Sequence, residues 1–142
     1  MAVYATKADM LNRYSEEELI QLTDREEPYT NAIVDGVLDT ALADAGHEID
    51  GYIGARYTLP LNPVPALLVP IACALTRAYL HVDAMPEEVS EKRDDALRKL
   101  KDISKGTMAL PNPTSEPTPN ESGAAVLSGP EREYTRDKLE GF

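Results

Sequence analysis

Apolar residues return in steps of three and four along most of the chain up to Gly106, and those steps resolve into a series of helices. Thr6 with Asp9, and Ser15 with Glu18, have the spacing of an N-cap oxygen and a carboxylate three residues on; the second pair matches the capping box closely. They predict two short helices, over 7–13 and 16–22. Glu16, Glu17 and Glu18 then occupy a first turn, where the helix dipole favours negative charge, so this acidic run reads as helix chemistry rather than metal binding. From Asn31 to Tyr57 the residues Ile33, Val37, Leu38, Ala41, Leu42, Ala45, Ile49, Tyr52 and Ile53 form one broad stripe, which predicts a long amphipathic helix. Asp35, Asp39, Asp50 and Glu48 are expected off the stripe, on a solvated acidic face. Gly46 marks the place for a kink or for the close approach of another backbone.

The stretch YIGARYTLPLNPVP, Tyr52 to Pro65, breaks the pattern. Pro60, Pro63 and Pro65 forbid helix and push Leu59, Asn62 and Val64 toward extended conformations, so the segment is a stiff elbow rather than a flexible linker. A further helix is expected from Ala66 or Pro70 to His81, with Pro70 tolerated only in its first turn. Its run LLVPIACALTRAYL carries one charge, Arg77, and is the expected core. Met85-Pro86 opens the last helix, acidic at its start (Glu87, Glu88, Glu91), basic at its end (Lys99, Lys101, Lys105) and stopped by Gly106. Val89, Ala96, Leu97, Leu100 and Ile103 supply its buried edge.

Beyond Gly106 the composition changes, with five of the eleven prolines in the last thirty-six residues among Ser, Thr, Asn and Gly. Such a segment cannot bury enough apolar area to offset its ordering entropy, so it is an extended arm that is either disordered alone or docked on a neighbour. AAVL, Ala124 to Leu127, is its strand-like piece, suited to strand addition, and Tyr134, Leu139 and Phe142 stand among Arg132, Arg136 and Lys138 as aromatic and apolar anchors with basic neighbours. The expected fold class is therefore all-α, a small helical bundle with a long central helix and an extended Pro-rich C-terminal arm. Residues 1–106 form the helical domain and 107–142 the arm.

Composition sharpens this picture. A chain of 142 residues fits one domain, and one Phe with no Trp makes its core aliphatic. The single cysteine, Cys73, excludes an internal disulfide, and the absence of a charged-then-apolar leader fits a reducing cytoplasm. The low-charge run from Tyr57 to Thr76 contains four prolines, so it reads as elbow plus buried helix and not as a membrane span. Charge is uneven: residues 1–56 hold twelve acids and four bases, 57–106 seven of each, and 107–142 six acids and three bases. A net charge of −11 opposes nucleic-acid binding by counterion release, yet suits a protein that surrounds DNA without sticking to it.

Catalytic signatures are missing. His47 and His81 have no second cysteine, no His-Glu-x-x-His and no calcium loop beside them, Cys73 falls in an apolar helix as a small hydrophobe, and no phosphate-binding glycine loop occurs. No enzyme activity, metal or cofactor is expected. Arg56 and Arg77 each lie beside a tyrosine in an apolar setting, where an arginine either satisfies helix-end carbonyls or pairs with an acid on an adjacent subunit.

In order along the chain, YATKADMLNRY, ELIQLTD, ALADAGHEIDGYIGARYTLPL, PVPALLVPIACALTRAYL and ALRKLKDISKG, with the closing REYTRDKLEGF, resemble the Mu-like tailed-phage neck family of head-to-tail adaptors. The sharpest part is the acidic-apolar helix running into Ile53, Arg56, Tyr57, Leu59, Pro60 and Leu61 and then an apolar helix. The resemblance implies a structural virion protein of the neck between capsid and tail, assembled in the host cytoplasm. It implies a homo-oligomeric ring of roughly twelve copies beneath the portal protein. That ring completes the head, receives a tail-side neck or tail terminator protein, and lets double-stranded DNA pass without specific binding. On this reading Arg56, Tyr57, Leu59, Pro60, Arg77, Arg132, Tyr134, Arg136, Leu139 and Phe142 are expected at subunit or partner interfaces, and Asp35, Asp39, Glu48 and Asp50 toward the channel. The alternative is an acidic soluble binding or regulatory module that recognises a basic protein partner.

Overall fold

Thr6 begins the first helix with a reciprocal cap: its hydroxyl accepts from the Asp9 backbone N–H while the Asp9 carboxylate accepts from the Thr6 N–H. In the computed structural model, which describes residues 3–111, five helices follow: α1 (Lys7–Arg13), α2 (Glu16–Thr23), α3 (Asp35–Ile53), α4 (Leu68–Leu80) and α5 (Glu87–Lys105). The described residues contain no strand, and the fold is all-α as the periodicity predicts. The AAVL segment, Arg132, Tyr134, Arg136, Leu139 and Phe142 lie outside the described residues.

α4 packs against both α3 and α5, which also touch each other, while α1 lies against α4 and α2 against α3. The reason is compositional. α4 buries Leu68, Ile71, Ala72, Cys73, Leu75, Thr76, Ala78 and Leu80, so it needs neighbours on nearly every side. Each fully buried Leu or Ile there contributes about 1.5–3 kcal/mol before entropy is counted. Thr76, the buried polar residue of α4, is satisfied by donating to the Ala72 carbonyl at 2.7 Å. α3 contributes Leu38, Ala41, Ala45, Ile49 and Ile53 to the same core, and α5 contributes Ala96, Leu100 and Ile103.

Two expectations need correction at the ends of α3. The helix starts at Asp35 rather than near Asn31, because the loop before it has its own bonds. The Asp24 carboxylate accepts from the Thr30 and Asn31 N–H groups at 2.9 Å each, Thr23 Oγ1 accepts from the Val34 N–H at 3.0 Å, and Asn31 has φ +52°. Left-handed backbone at Asn31 is incompatible with a helix there. At the other end, α3 stops at Ile53, although the Tyr57 N–H still reaches the Ile53 carbonyl at 2.8 Å before the prolines end the spiral. Gly46 does not break the helix; it is buried and lines the same cavity as Tyr4, Ala5 and Thr6 of the N-terminal segment.

A third correction concerns caps. Ser15 accepts from the Glu18 N–H at 3.2 Å, but the reciprocal box forms at Thr6–Asp9 and not here, because the Glu18 carboxylate is held by Arg77. The body also extends past residue 106: Leu110 is buried, Met108 is half-buried, and the Met108 N–H reaches back to the Asp102 carbonyl at 3.1 Å.

Candidate functional site

The elbow between α3 and α4 is built inward. Tyr57 is 3% exposed, and its hydroxyl accepts from the Leu110 backbone N–H at 3.2 Å, so one side chain joins the end of α3 to the chain leaving α5. Leu61 is buried and Leu59 half-buried, while Pro60 is exposed. Arg56 lies across the stop signal of α5: a Cβ placed on Gly106 would collide with the Arg56 guanidinium. Gly106 has φ +83°, the left-handed cap that glycine adopts without strain. Both features make this position specific for glycine. Gly106→Ala should lower stability by about 1–2 kcal/mol, combining left-handed strain with displacement of the Arg56 head group. Urea unfolding followed by circular dichroism checks it, and an unchanged midpoint would remove the Arg56–Gly106 clamp from the account.

Arg77 is likewise engaged within the chain. Its Nε and Nη2 both reach Glu18 Oε1 at 2.8 Å, its guanidinium sits 4.7 Å from the Tyr14 ring centroid, and Nη1 lies 3.9 Å from Glu88. One half-buried cation therefore ties α4 to α2, to the α1–α2 junction and to the start of α5. The acid it meets belongs to its own chain.

The four acids of α3 do not share a face. Successive residues turn by about 100°, which groups Asp35, Asp39 and Asp50 within roughly 60° on one edge of the buried stripe and sets Glu48 on the other. Asp35 pairs with Lys7 at 2.6 Å, and Asp50 accepts a hydrogen bond from the Tyr4 hydroxyl. Burial first, then the Asp50 hydrogen bond and charge, push the Tyr4 phenol well above its ordinary range. Asp39 is exposed. Glu48 and Asp44 instead face Tyr79 of α4, whose phenol is raised by burial and then by the charges of Glu48, Asp44 and Tyr52, against Arg93. Beside them lies a groove of about 270 Å³ lined by Arg25, Val37, Thr40, Asp44, Tyr79 and Leu80.

Burial pushes the Cys73 thiol up, with Arg13 opposing and Asp9 adding, so the thiolate is scarce at neutral pH. Among the described residues no three His, Cys, Asp or Glu side chains are placed to hold a metal ion, and no helix is long and apolar enough to cross a membrane.

With this geometry in hand, the comparison with known proteins is decisive at the level of family. The sequence pattern of the family described as "Bacteriophage Mu, Gp36" matches residues 4–128. The chain belongs to this phage family. Over 103 residues, 72% of this chain and 72% of the relative, it is 37% identical to "Gene product J" of Escherichia phage Mu. It is also 27% identical over 142 residues, 100% of this chain and 99% of the relative, to "Mu-like prophage FluMu protein gp36" of Haemophilus influenzae (strain ATCC 51907 / DSM 11121 / KW20 / Rd). The phage family's span thus covers the whole helical body and continues into the Pro-rich arm.

The sequence marks Arg56, Tyr57 and Arg77 and leaves the arginines open between helix-end carbonyls and an adjacent subunit. It does not name their neighbours within the chain: Glu18 and Tyr14 for Arg77, Gly106 for Arg56, and Leu110 for Tyr57. Only Leu110 left a signal, as an apolar residue stranded in a polar, proline-rich stretch.

Proposed function

We propose that this chain is a structural, non-enzymatic protein of the phage virion, a head-to-tail connector of the neck. It forms a ring beneath the portal protein, completes the head, presents the attachment surface for a tail-side neck or tail terminator protein and lets double-stranded DNA pass. The observation that carries this reading is the extent of the family match. It runs to residue 128, beyond the packed body that ends near Leu110, so the first part of the arm belongs to what the family shares. A helical body with a shared Pro-rich arm suits a protomer held in an assembly by its neighbours.

Charge supports the same role. A net charge of −11, concentrated in the N-terminal half, repels phosphate over distances of about 8 Å at physiological salt. Exposed Asp39 is the clearest channel-facing candidate, because Asp35 and Asp50 already have partners within the chain. The elbow acts indirectly: by holding Leu110, Tyr57 fixes where the packed body ends and the arm begins.

Removing the residues from Ser128 onward should leave helicity and thermal stability within about 0.5 kcal/mol of the full chain, while assembly with portal and tail components is lost. Circular dichroism and electron microscopy of reconstituted particles measure the two quantities. Normal particles formed by the truncated chain would overturn the docking role. A monomeric, salt-sensitive complex with a basic protein would instead favour the acidic-module alternative.

A further inference from the structure

The groove between α3 and α4 has three properties that point to a protein segment as its occupant. First, it is apolar where it is deep, with Val37, Ala41 and Leu80 on its walls, and tyrosine-flanked at its mouth, where Tyr79 remains 37% exposed. Second, its charges are arranged in order. Asp44 lines it, Glu48 follows one helical turn further along α3, and Arg25 also lines it. Among the described residues neither Asp44 nor Glu48 makes a salt bridge, whereas Arg93 and Arg98 of α5 have theirs within α5. Third, the surface beyond stays apolar: Val82, two residues after Leu80, is 65% exposed.

A matching segment is present in the chain's own sequence. Residues 131–140, EREYTRDKLE, alternate acids with Arg132, Arg136 and Lys138 around Tyr134 and Leu139. The bases complement Asp44 and Glu48, the acids complement Arg25, and Tyr134 can lie against Tyr79. The positions of arm origin and groove bear on whose arm it is. The arm leaves the body at Leu110, against Tyr57 beyond the C-terminal end of α3, while the groove flanks the first half of that helix. At 1.5 Å per residue, the end of α3 at Ile53 and groove residue Thr40 are roughly 20 Å apart along the axis. Arm origin and groove thus lie toward opposite ends of one protomer. Joining the arm of one copy to the groove of the next makes a head-to-tail contact, the kind that repeats round a ring. The twenty residues between Leu110 and Glu131 can extend to at most roughly 70 Å, enough to reach the groove of the next copy, and the ring of the connector reading favours that copy over the chain's own groove.

We propose that the groove formed by Val37, Thr40, Asp44, Tyr79 and Leu80 receives the arm segment 131–140 of an adjacent copy of this chain. The inference deepens the connector reading and rests on it for the ring, but names a receptor that the reading leaves open.

Mixing full-length Tyr79→Cys and Tyr134→Cys chains under mild oxidation tests it. A covalent heterodimer, exceeding the dimer formed by either chain alone and reduced roughly tenfold by adding Asp44→Lys and Glu48→Lys to the groove chain, is expected. Buried Cys73 stays unreactive as an internal control. Cross-linking confined to a chain carrying both cysteines, without the heterodimer, would place the arm in its own groove and overturn the assignment to a neighbour. Absence of any groove cross-link, in chains whose helicity is unchanged, would overturn the groove itself. The connector reading is judged separately by particle assembly with the residue-128 truncation: particles that still require the arm while the groove variants assemble normally sink this inference alone.

Discussion

Replacing Tyr57 with alanine should cost about 3–5 kcal/mol of folding stability, a large share of the roughly 5–15 kcal/mol that holds a domain of this size together. The ring is 3% exposed, at the meeting point of the elbow, the end of α3 and the residues after α5. Truncation leaves a cavity where the buried ring stood, and it leaves the Leu110 N–H buried without its acceptor. Tyr57→Phe separates the two contributions. It keeps the packing and should cost about 1 kcal/mol for the lost hydrogen bond. Urea midpoints of both variants, read by circular dichroism, give the comparison. If Tyr57→Ala unfolded at the wild-type midpoint yet failed to assemble, the residue would belong to a subunit interface and not to the protomer core.

Arg77→Ala is expected to cost about 2 kcal/mol, more than an exposed ion pair and less than a fully buried one. The side chains of Arg77 and Glu18 are 17% and 27% exposed, so solvent screens part of their attraction. What makes the arginine hard to replace is that it does two things at once: it places two N–H groups on one carboxylate oxygen and lays its plane near the Tyr14 ring. Removal also strands Glu18 half-buried without a cation. Arg77→Lys should recover less than half of the loss, because an ammonium cannot fork and stack together. Coupling is measured by a double-mutant cycle with Glu18→Gln. A coupling near zero would show that α1 and α2 are held to α4 by packing alone.

These two residues illustrate how the sequence was informative and where it stopped. The pattern marked both as unusual, since an arginine or a tyrosine in an otherwise apolar stretch must satisfy its polar atoms somewhere. It could not say with whom, because Glu18 is fifty-nine positions from Arg77 and Leu110 fifty-three from Tyr57. An interface with another copy and a contact within the chain leave the same local trace. The same holds for the capping boxes: two sites had the spacing, and the tertiary demand of Arg77 on Glu18 decided which one closed.

What the sequence by itself determined were the properties encoded within a turn or two: five helices from their apolar steps and caps, the elbow from its prolines, the stop of α5 from Gly106, and a chain whose acids crowd its N-terminal half. Short-range sterics and periodicity suffice for these, since each element contains its own reason to start and stop. The tertiary structure alone decided that Arg56, Tyr57 and Arg77 turn inward and that a tyrosine-flanked groove opens between α3 and α4. Those outcomes depend on which helix faces lie against one another, and that is fixed by the packing of the whole core.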